Sequence, residues 1–359
     1  MQRLDHLDSL RGFALFGILL VNMLGFQYGI RTQQHLQFES RLDETLYAVI
    51  QWFFQGSFYP VFAILFGMGG AIMYERAQAE GRSFQAVYTR RLVILLAIGF
   101  LHWTLIWHGD ILFDYALAGF LLMILLPLSA SRLSYWVLGG FSLVSVIGLV
   151  LIGQRPMTVN NEAERIMMKS GTYPELVAYR FGELTVDPLI LIQVGSLFLI
   201  GTIIVKRGWI QDVPGYRLAW RRFALIGTLA GLTAKLPGIL MADAAVTYYS
   251  YMLGGPLFGL GVIGVFLLLF HGAKGKGLFR LFIAPGKMAL TNYLMQSLVM
   301  TWLFYGHGGG LFEALGVLWG ILIAVGFFAL QTVVSHRWLA RFAMGPVEWL
   351  WRKGSRGGG

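Results

Sequence analysis

The chain has 359 residues, 57% apolar and only 13% charged, with a mean hydropathy of +0.65; a soluble domain carries about 25% charged residues, so this composition describes a protein that crosses a membrane repeatedly. The formal charge is +10, yet the basic residues fall in short clusters between apolar runs, which is the signature of membrane topology and argues against a nucleic-acid partner. No cysteine is present, which excludes disulfides, thiolate nucleophiles and cysteine-ligated metals.

The chain opens MQRLDHLDSLRG, whose two aspartates are unlike a cleavable signal. Ten apolar runs then follow that are long enough for a hydrocarbon layer of roughly 30 Å: 13–29, 52–74, 91–107, 111–128, 134–153, 187–205, 222–241, 244–270, 288–305 and 314–334. They predict an all-α, polytopic transmembrane helical bundle of about ten spans with both termini on one side. If the N-terminus is inside, 21 of the 28 basic residues lie on inner segments and 12 of the 18 acidic residues on outer ones, so both termini are expected in the cytoplasm of a cell inner membrane. Residues 1–353 read as a single integral membrane domain, with candidate halves 1–153 and 187–353 joined by an outer segment, 154–186; residues 354–359 read as a flexible tail. In the outer segment NNEAERIMMKS predicts a short interfacial helix, and the segment either links the halves through solvent or covers something on the outer face. The bilayer is the obligatory partner, and a homodimer is left open.

Polar side chains within the apolar runs are the candidate functional groups, because lipid cannot satisfy them. In the first run LDSLRGFALFGILLVN places Asp8 and Arg11 three residues apart at the inner end, with Asn22 eleven residues deeper. FAILFGMGGAIM in the second supplies Gly67, Gly69 and Gly70, which are expected to serve close helix packing. The third, RRLVILLAIGFLHWTLIWHGDIL, starts at Arg90 and Arg91 and is interrupted by His102, about 17 Å from Arg91 at 1.5 Å per residue. That depth admits an imidazole satisfied across a helix contact, a proton-transfer group or a metal ligand; neutral histidine suits general-base work. GDILFDY places Asp110 to cap the fourth run and Asp114 one turn deeper, where capping cannot explain a second carboxylate. Lys235 and Asp243 belong to the same outer end. Near the C-terminus IAPGKMALTNY sets Lys287 at a helix start, as a phosphate-holding group or as a positive-inside anchor, followed by Asn292 and Gln296. Asn22, His102 and Gln296 share a depth of about 14–17 Å from the inner surface, so they form one polar layer if their helices are neighbours. Amides there either tie helices together or stabilise developing negative charge. No HExxH or Walker pattern occurs, no GxGxxG follows a strand, and no metal is expected.

The segments RLDHLDSLRGFALFGILLVNM, FYPVFAILFGMGGA, RRLVILLAIGFLHWTLIWHGDILFDYALAGF and APGKMALTNYLMQS together resemble the YeiB family of membrane proteins, whose C-terminal half carries a domain of unknown function. That family in turn distantly resembles the transmembrane acyltransferases that N-acetylate heparan-sulfate glucosamine or O-acylate envelope sugars. The resemblance implies transfer of an acyl group from cytoplasmic acyl-coenzyme A to a hydroxyl or amine of a polar small molecule or envelope glycan. Under it, His102 would be the general base, and Asn22 or Gln296 would meet the oxyanion. Asp110 and Asp114 would support catalysis at the outer end, and Arg11, Arg90, Arg91, Lys287 and Asn292 would hold coenzyme A. Many O-acylating relatives carry an arginine followed after ten residues by a histidine in the first helix; here Arg11 matches and Asn22 stands in the histidine position. The rival class is a transporter or permease for a small polar or anionic solute; a structural or regulatory membrane component is a third reading.

Overall fold

Runs of leucine, isoleucine, phenylalanine and glycine without charge satisfy their backbone groups in lipid only as helices, and that is what forms. The computed structural model describes residues 4–30, 36, 38, 40–152, 161–241, 244–272 and 276–356. Its helices are α1 (Asp5–Tyr28), α2 (Arg41–Val49), α3 (Phe58–Ala79), α4 (Phe84–Leu101), α5 (Leu112–Leu125), α6 (Ala130–Ile152), α7 (Asn161–Ser170), α8 (Tyr173–Gly182) and α9 (Pro188–Lys206). They continue as α10 (Arg217–Arg222), α11 (Thr228–Leu240), α12 (Ala244–Phe270), α13 (Lys276–Phe279), α14 (Ile283–Lys287), α15 (Ala289–Phe304), α16 (Val317–Leu339) and α17 (Pro346–Arg356). No strand occurs among the described residues. Among the described residues, eight helical runs are long and apolar enough to cross a membrane. The segments read at 111–128 and 288–305 form shorter apolar helices, α5 with 14 residues and α15 with 16.

Among the described residues three π-helical turns interrupt the ladder, at Ile50–Phe54, His102–Ile106 and Phe223–Gly227. The second begins at His102 and closes with Trp107 N–H donating to His102 O at 2.8 Å; such an inserted residue turns side chains out of the regular register. Trp107 is extended and ends the helix, and the chain doubles back through HGD into α5. At Gly99 a Cβ would meet Phe113 N at 2.4 Å, so glycine lets the start of α5 press against α4 and brings Asp110 to His102.

The first helix packs against α3, α14, α15 and α16, and α3 packs against α9 and α12. At the α3–α9 crossing a Cβ on Gly67 would lie 2.0 Å from Phe198 O, and one on Gly201 2.0 Å from Ile64 O, so the backbones touch. Gly70 packs against Tyr88 and Leu122, whereas Gly69 has nothing within 4 Å of a Cβ and borders open space. The expectation of packing at Gly69 is corrected: its face of α3 lines a cavity. The C-terminal segment is likewise more ordered than expected, since α17 runs through Arg356; residues 357–359 lie outside the described residues.

The segment between the fifth and sixth apolar runs forms α7 and α8. The first, Asn161–Ser170, falls in the expected NNEAERIMMKS stretch, whose Asn160 lies outside the described residues, but it is anchored to protein: Glu164 is fully buried and its Oε1 lies 2.9 Å from His108 Nε2. Tyr173 OH and Arg180 Nη1 donate to Leu105 O at 3.0 and 3.1 Å, and Trp103 Nε1 donates to Arg180 O at 3.0 Å. These bonds fasten the segment over the end of the His102 turn, satisfying a carbonyl that the ending helix leaves unpaired.

Candidate functional site

Basic side chains from five elements gather at one end of the bundle. Arg11 on α1, Arg76 on α3, Arg91 on α4, Lys287 on α14 and Arg352 on α17 all line one cavity of about 760 Å³. Arg11, Arg76, Arg91 and Lys287 flank apolar runs and Arg352 comes from the amphipathic α17, so the charges sit at a mouth and the runs supply walls: Leu15, Ile18, Phe62, Phe66, Leu92 and Leu95 among them. Asp8, 1% exposed, accepts from Arg11 Nη1 at 2.8 Å and holds the guanidinium in place. Lys287 Nζ is 3.9 Å from Asp5. Gly286 explains how α14 reaches α1: a Cβ there would lie 1.7 Å from Asp8 O.

Helix α17 closes one side of the mouth. Trp351 stacks under the Arg91 guanidinium at 4.0 Å and donates from Nε1 to Arg91 O at 2.8 Å. Glu348 Oε1 accepts the Leu290 and Thr291 N–H groups at 2.8 and 3.0 Å, and its Oε2 accepts from the Thr291 hydroxyl at 2.5 Å. A carboxylate from α17 therefore caps the N-terminus of α15, where unpaired N–H groups and the helix dipole favour negative charge.

The cavity extends inward to Ile111, Leu112, Tyr115 and Tyr293. Behind Tyr293, with ring centroids 5.2 Å apart, lies His102, 1% exposed. His102 Nδ1 is 2.8 Å from Asp110 Oδ1, and Asp110 Oδ2 accepts the Phe113 N–H at 2.8 Å. One carboxylate thus caps α5 and orients the imidazole. The arrangement favours the tautomer with the proton on Nδ1, leaving a lone pair on Nε2, which is buried without a partner. The Tyr293 hydroxyl, buried beside the Ile111 backbone N–H with its own proton free to donate, belongs to the cavity wall.

The other expected site residues are placed differently. Arg90 is exposed and turned from the cavity, while Arg91 lines it. Gln296 Nε2 donates to Gln331 Oε1 at 2.9 Å, and Gln331 Nε2 donates to Asn292 O at 3.0 Å. Asn292 Nδ2 donates to Pro285 O at 3.2 Å and Ser335 Oγ at 3.0 Å. These two amides tie α15 to α16 and α14 and do not line the cavity. Asn22 and Asp114 are half-buried and do not line it either. Lys235 is fully buried between the Tyr251 and Phe258 rings and donates to Gln55 O at 2.8 Å and Ser57 Oγ at 3.0 Å. Asp243 lies outside the described residues.

Sequence reasoning passed over Tyr293, Arg76, Arg352 and Glu348. Tyr293 had a signal, a hydroxyl within an apolar run beside Asn292. The others read as ordinary interfacial charges, and only their convergence on one mouth sets them apart.

The family DUF418, described as a protein of unknown function, matches residues 204–358. Over 98% of the chain, the sequence is 32% identical to the uncharacterized protein YxaH of Bacillus subtilis, covering 94% of that relative. It is 28% identical to the uncharacterized protein YeiB of Escherichia coli over 98% of the chain and 96% of the relative. A 39.9 kDa protein encoded in the amylase 3' region of Bacillus acidopullulyticus is 25% identical over 98% of the chain and 93% of its own length.

Proposed function

The chain belongs to the YeiB- and YxaH-like family of multi-pass membrane proteins, and from the geometry of its cavity we propose that it is an acyltransferase using acyl-coenzyme A. The observation that carries this reading is a basic-mouthed, apolar-walled cavity ending at Tyr293, directly in front of the buried His102–Asp110 pair. With both termini in the cytoplasm of the inner membrane, Arg11, Arg76, Arg91, Lys287 and Arg352 face the cytoplasm and hold the phosphates of coenzyme A. The pantetheine arm and acyl group run inward along the apolar wall. The acceptor, a polar envelope molecule, arrives from the opposite face.

His102 Nε2 removes the proton from the acceptor hydroxyl or amine as its oxygen or nitrogen attacks the thioester carbonyl carbon. Asp110 stabilises the imidazolium that forms and keeps its orientation. The tetrahedral oxyanion accepts a hydrogen bond from the Tyr293 hydroxyl, the role first expected of Asn22 or Gln296. Collapse breaks the carbon–sulfur bond, and the thiolate takes the proton from His102, giving acylated acceptor and coenzyme A. Tyr293 must swing aside or share the acceptor's path, because its ring separates Nε2 from the cavity.

The experiment is calorimetry with acetyl- and longer acyl-coenzyme A on protein in nanodiscs, followed by transfer of labelled acyl groups to envelope extracts. Binding that falls in Arg11→Gln and Lys287→Gln, with transfer abolished in His102→Ala, is expected. A transporter for an anionic solute is favoured by one feature, a cavity whose charged groups are concentrated at one face. Solute uptake into vesicles without coenzyme A binding decides for it.

A further inference from the structure

The face opposite the basic mouth holds a second cluster that the proposed chemistry does not use. Arg180 on α8 is 0% exposed, yet only its Nη1 has a partner, Leu105 O; Nε and Nη2 are buried without one. The nearest buried carboxylate in the outer segment, Glu164, is bonded instead to His108 and to the Ile30 N–H. Arg180 Cζ lies 5.8 Å from the centre of the Tyr305 ring. The Tyr305 hydroxyl is buried beside the Trp107 indole N–H, which leaves its own proton to donate, and His307 Nδ1 is buried without a partner. Tyr305 and His307 rings are 6.1 Å apart, and His307 and Tyr173 rings 5.5 Å apart.

Burial pushes the Arg180 guanidinium below its ordinary pKa, although a guanidinium remains protonated at any physiological pH. Burial and then the Arg180 charge push His307 down, so that imidazole stays neutral at pH 7 and offers either a donor or an acceptor. A buried cation with Nε and Nη2 unfilled, beside an imidazole nitrogen equally unfilled, is an expensive arrangement unless something with acceptor oxygens completes it. Tyr173, 45% exposed, and the half-buried His307 are the members of the cluster nearest to solvent.

We propose that Arg180, Tyr305 and His307 form an oxyanion-binding subsite on this face, taking the carboxylate or phosphate of an acidic saccharide. The guanidinium fork binds either group in two-point fashion, and the tyrosine hydroxyl supplies a third hydrogen bond. Because Arg180 also donates to Leu105 O of the π-helical turn that starts at His102, occupation of the subsite is read directly by that turn.

The test is ligand-dependent thermal stability of the full chain in nanodiscs with glucuronate, glucose 1-phosphate and uncharged glucose at matched ionic strength. The basic mouth attracts anions too, so the readout is the difference between the wild type and Arg180→Gln. Stabilisation by glucuronate, by the phosphate or by both, absent with glucose and weakened at least tenfold in Kd by Arg180→Gln, is expected; the effective ligand identifies the group. Equal stabilisation in the wild type and Arg180→Gln overturns the proposal, as does equal response to glucose. If Arg180→Gln does not fold, His307→Ala decides: a several-fold weaker Kd upholds the subsite, and an unchanged one overturns it. Binding is measured without any transfer, so this result stands apart from whether acyl transfer is found.

Discussion

Replacing Asp110 by asparagine separates the two duties of one carboxylate. Its Oδ2 accepts from Phe113 N–H and its Oδ1 meets His102 Nδ1, both at 2.8 Å. Asparagine keeps one oxygen, which the Phe113 N–H retains, and turns an NH₂ toward the imidazole. His102 must then accept at Nδ1, so its proton moves to Nε2 and the lone pair needed for general-base work disappears. Loss of a positioned base is worth roughly 10² to 10⁴ in rate, and transfer should fall by about that factor. Stability should fall only by about 1 kcal/mol, because a hydrogen bond to a charged group becomes one to a neutral group. Asp110→Ala removes more: about 1 kcal/mol for the cap, and about 1–3 kcal/mol for a buried imidazole N–H left unmade, or about 2–4 kcal/mol together. Thermal unfolding of both variants in nanodiscs, with transfer of labelled acyl groups measured on the same samples, checks the separation. If Asp110→Asn transfers at the wild-type rate while His102→Ala is dead, the carboxylate does not set the tautomer. If both variants transfer normally, the buried pair is a packing feature and the mechanism is wrong.

Two of the three glycines of GMGG should respond oppositely. Gly67→Val drives a side chain into Phe198 O and forces α3 from α9, so little folded protein should be recovered on size-exclusion chromatography, whereas Gly69→Ala, with open space before it, should melt within about 0.5 kcal/mol of the wild type. Glu348→Ala removes the carboxylate that joins α17 to the N-terminus of α15, and should cost roughly 2 kcal/mol by thermal unfolding and raise hydrogen exchange across residues 346–356; unchanged exchange there would mean that Trp351 alone holds the helix. Coenzyme A affinity, measured by calorimetry, should weaken steeply with added salt because several mouth cations contribute, and Arg352→Gln should reduce that salt dependence while Arg90→Gln, exposed and off the cavity, should leave it unchanged.

Much of the architecture is legible in the amino-acid order because it depends on local properties. Whether a stretch of about twenty residues crosses a bilayer is decided by its own hydropathy: a helix forms within each of the ten apolar runs, and among the described residues eight helical runs are long and apolar enough to span. Asp110 as a helix cap was equally readable, since the cap and the N–H it meets are three residues apart. The neighbours of His102, Gln296 and Arg91 were not. Equal depth along separate helices says nothing about rotation or adjacency: His102 faces Asp110 and Tyr293, while Gln296 turns away to Gln331. Two features decide this, the α4–α5 approach at Gly99 and the π-helical turn that re-aims His102, and both depend on how the packed helices fill space rather than on the hydropathy of either segment. Hydropathy is a sum over one segment, whereas a site is a set of directions from several, and only the packed chain sets those directions.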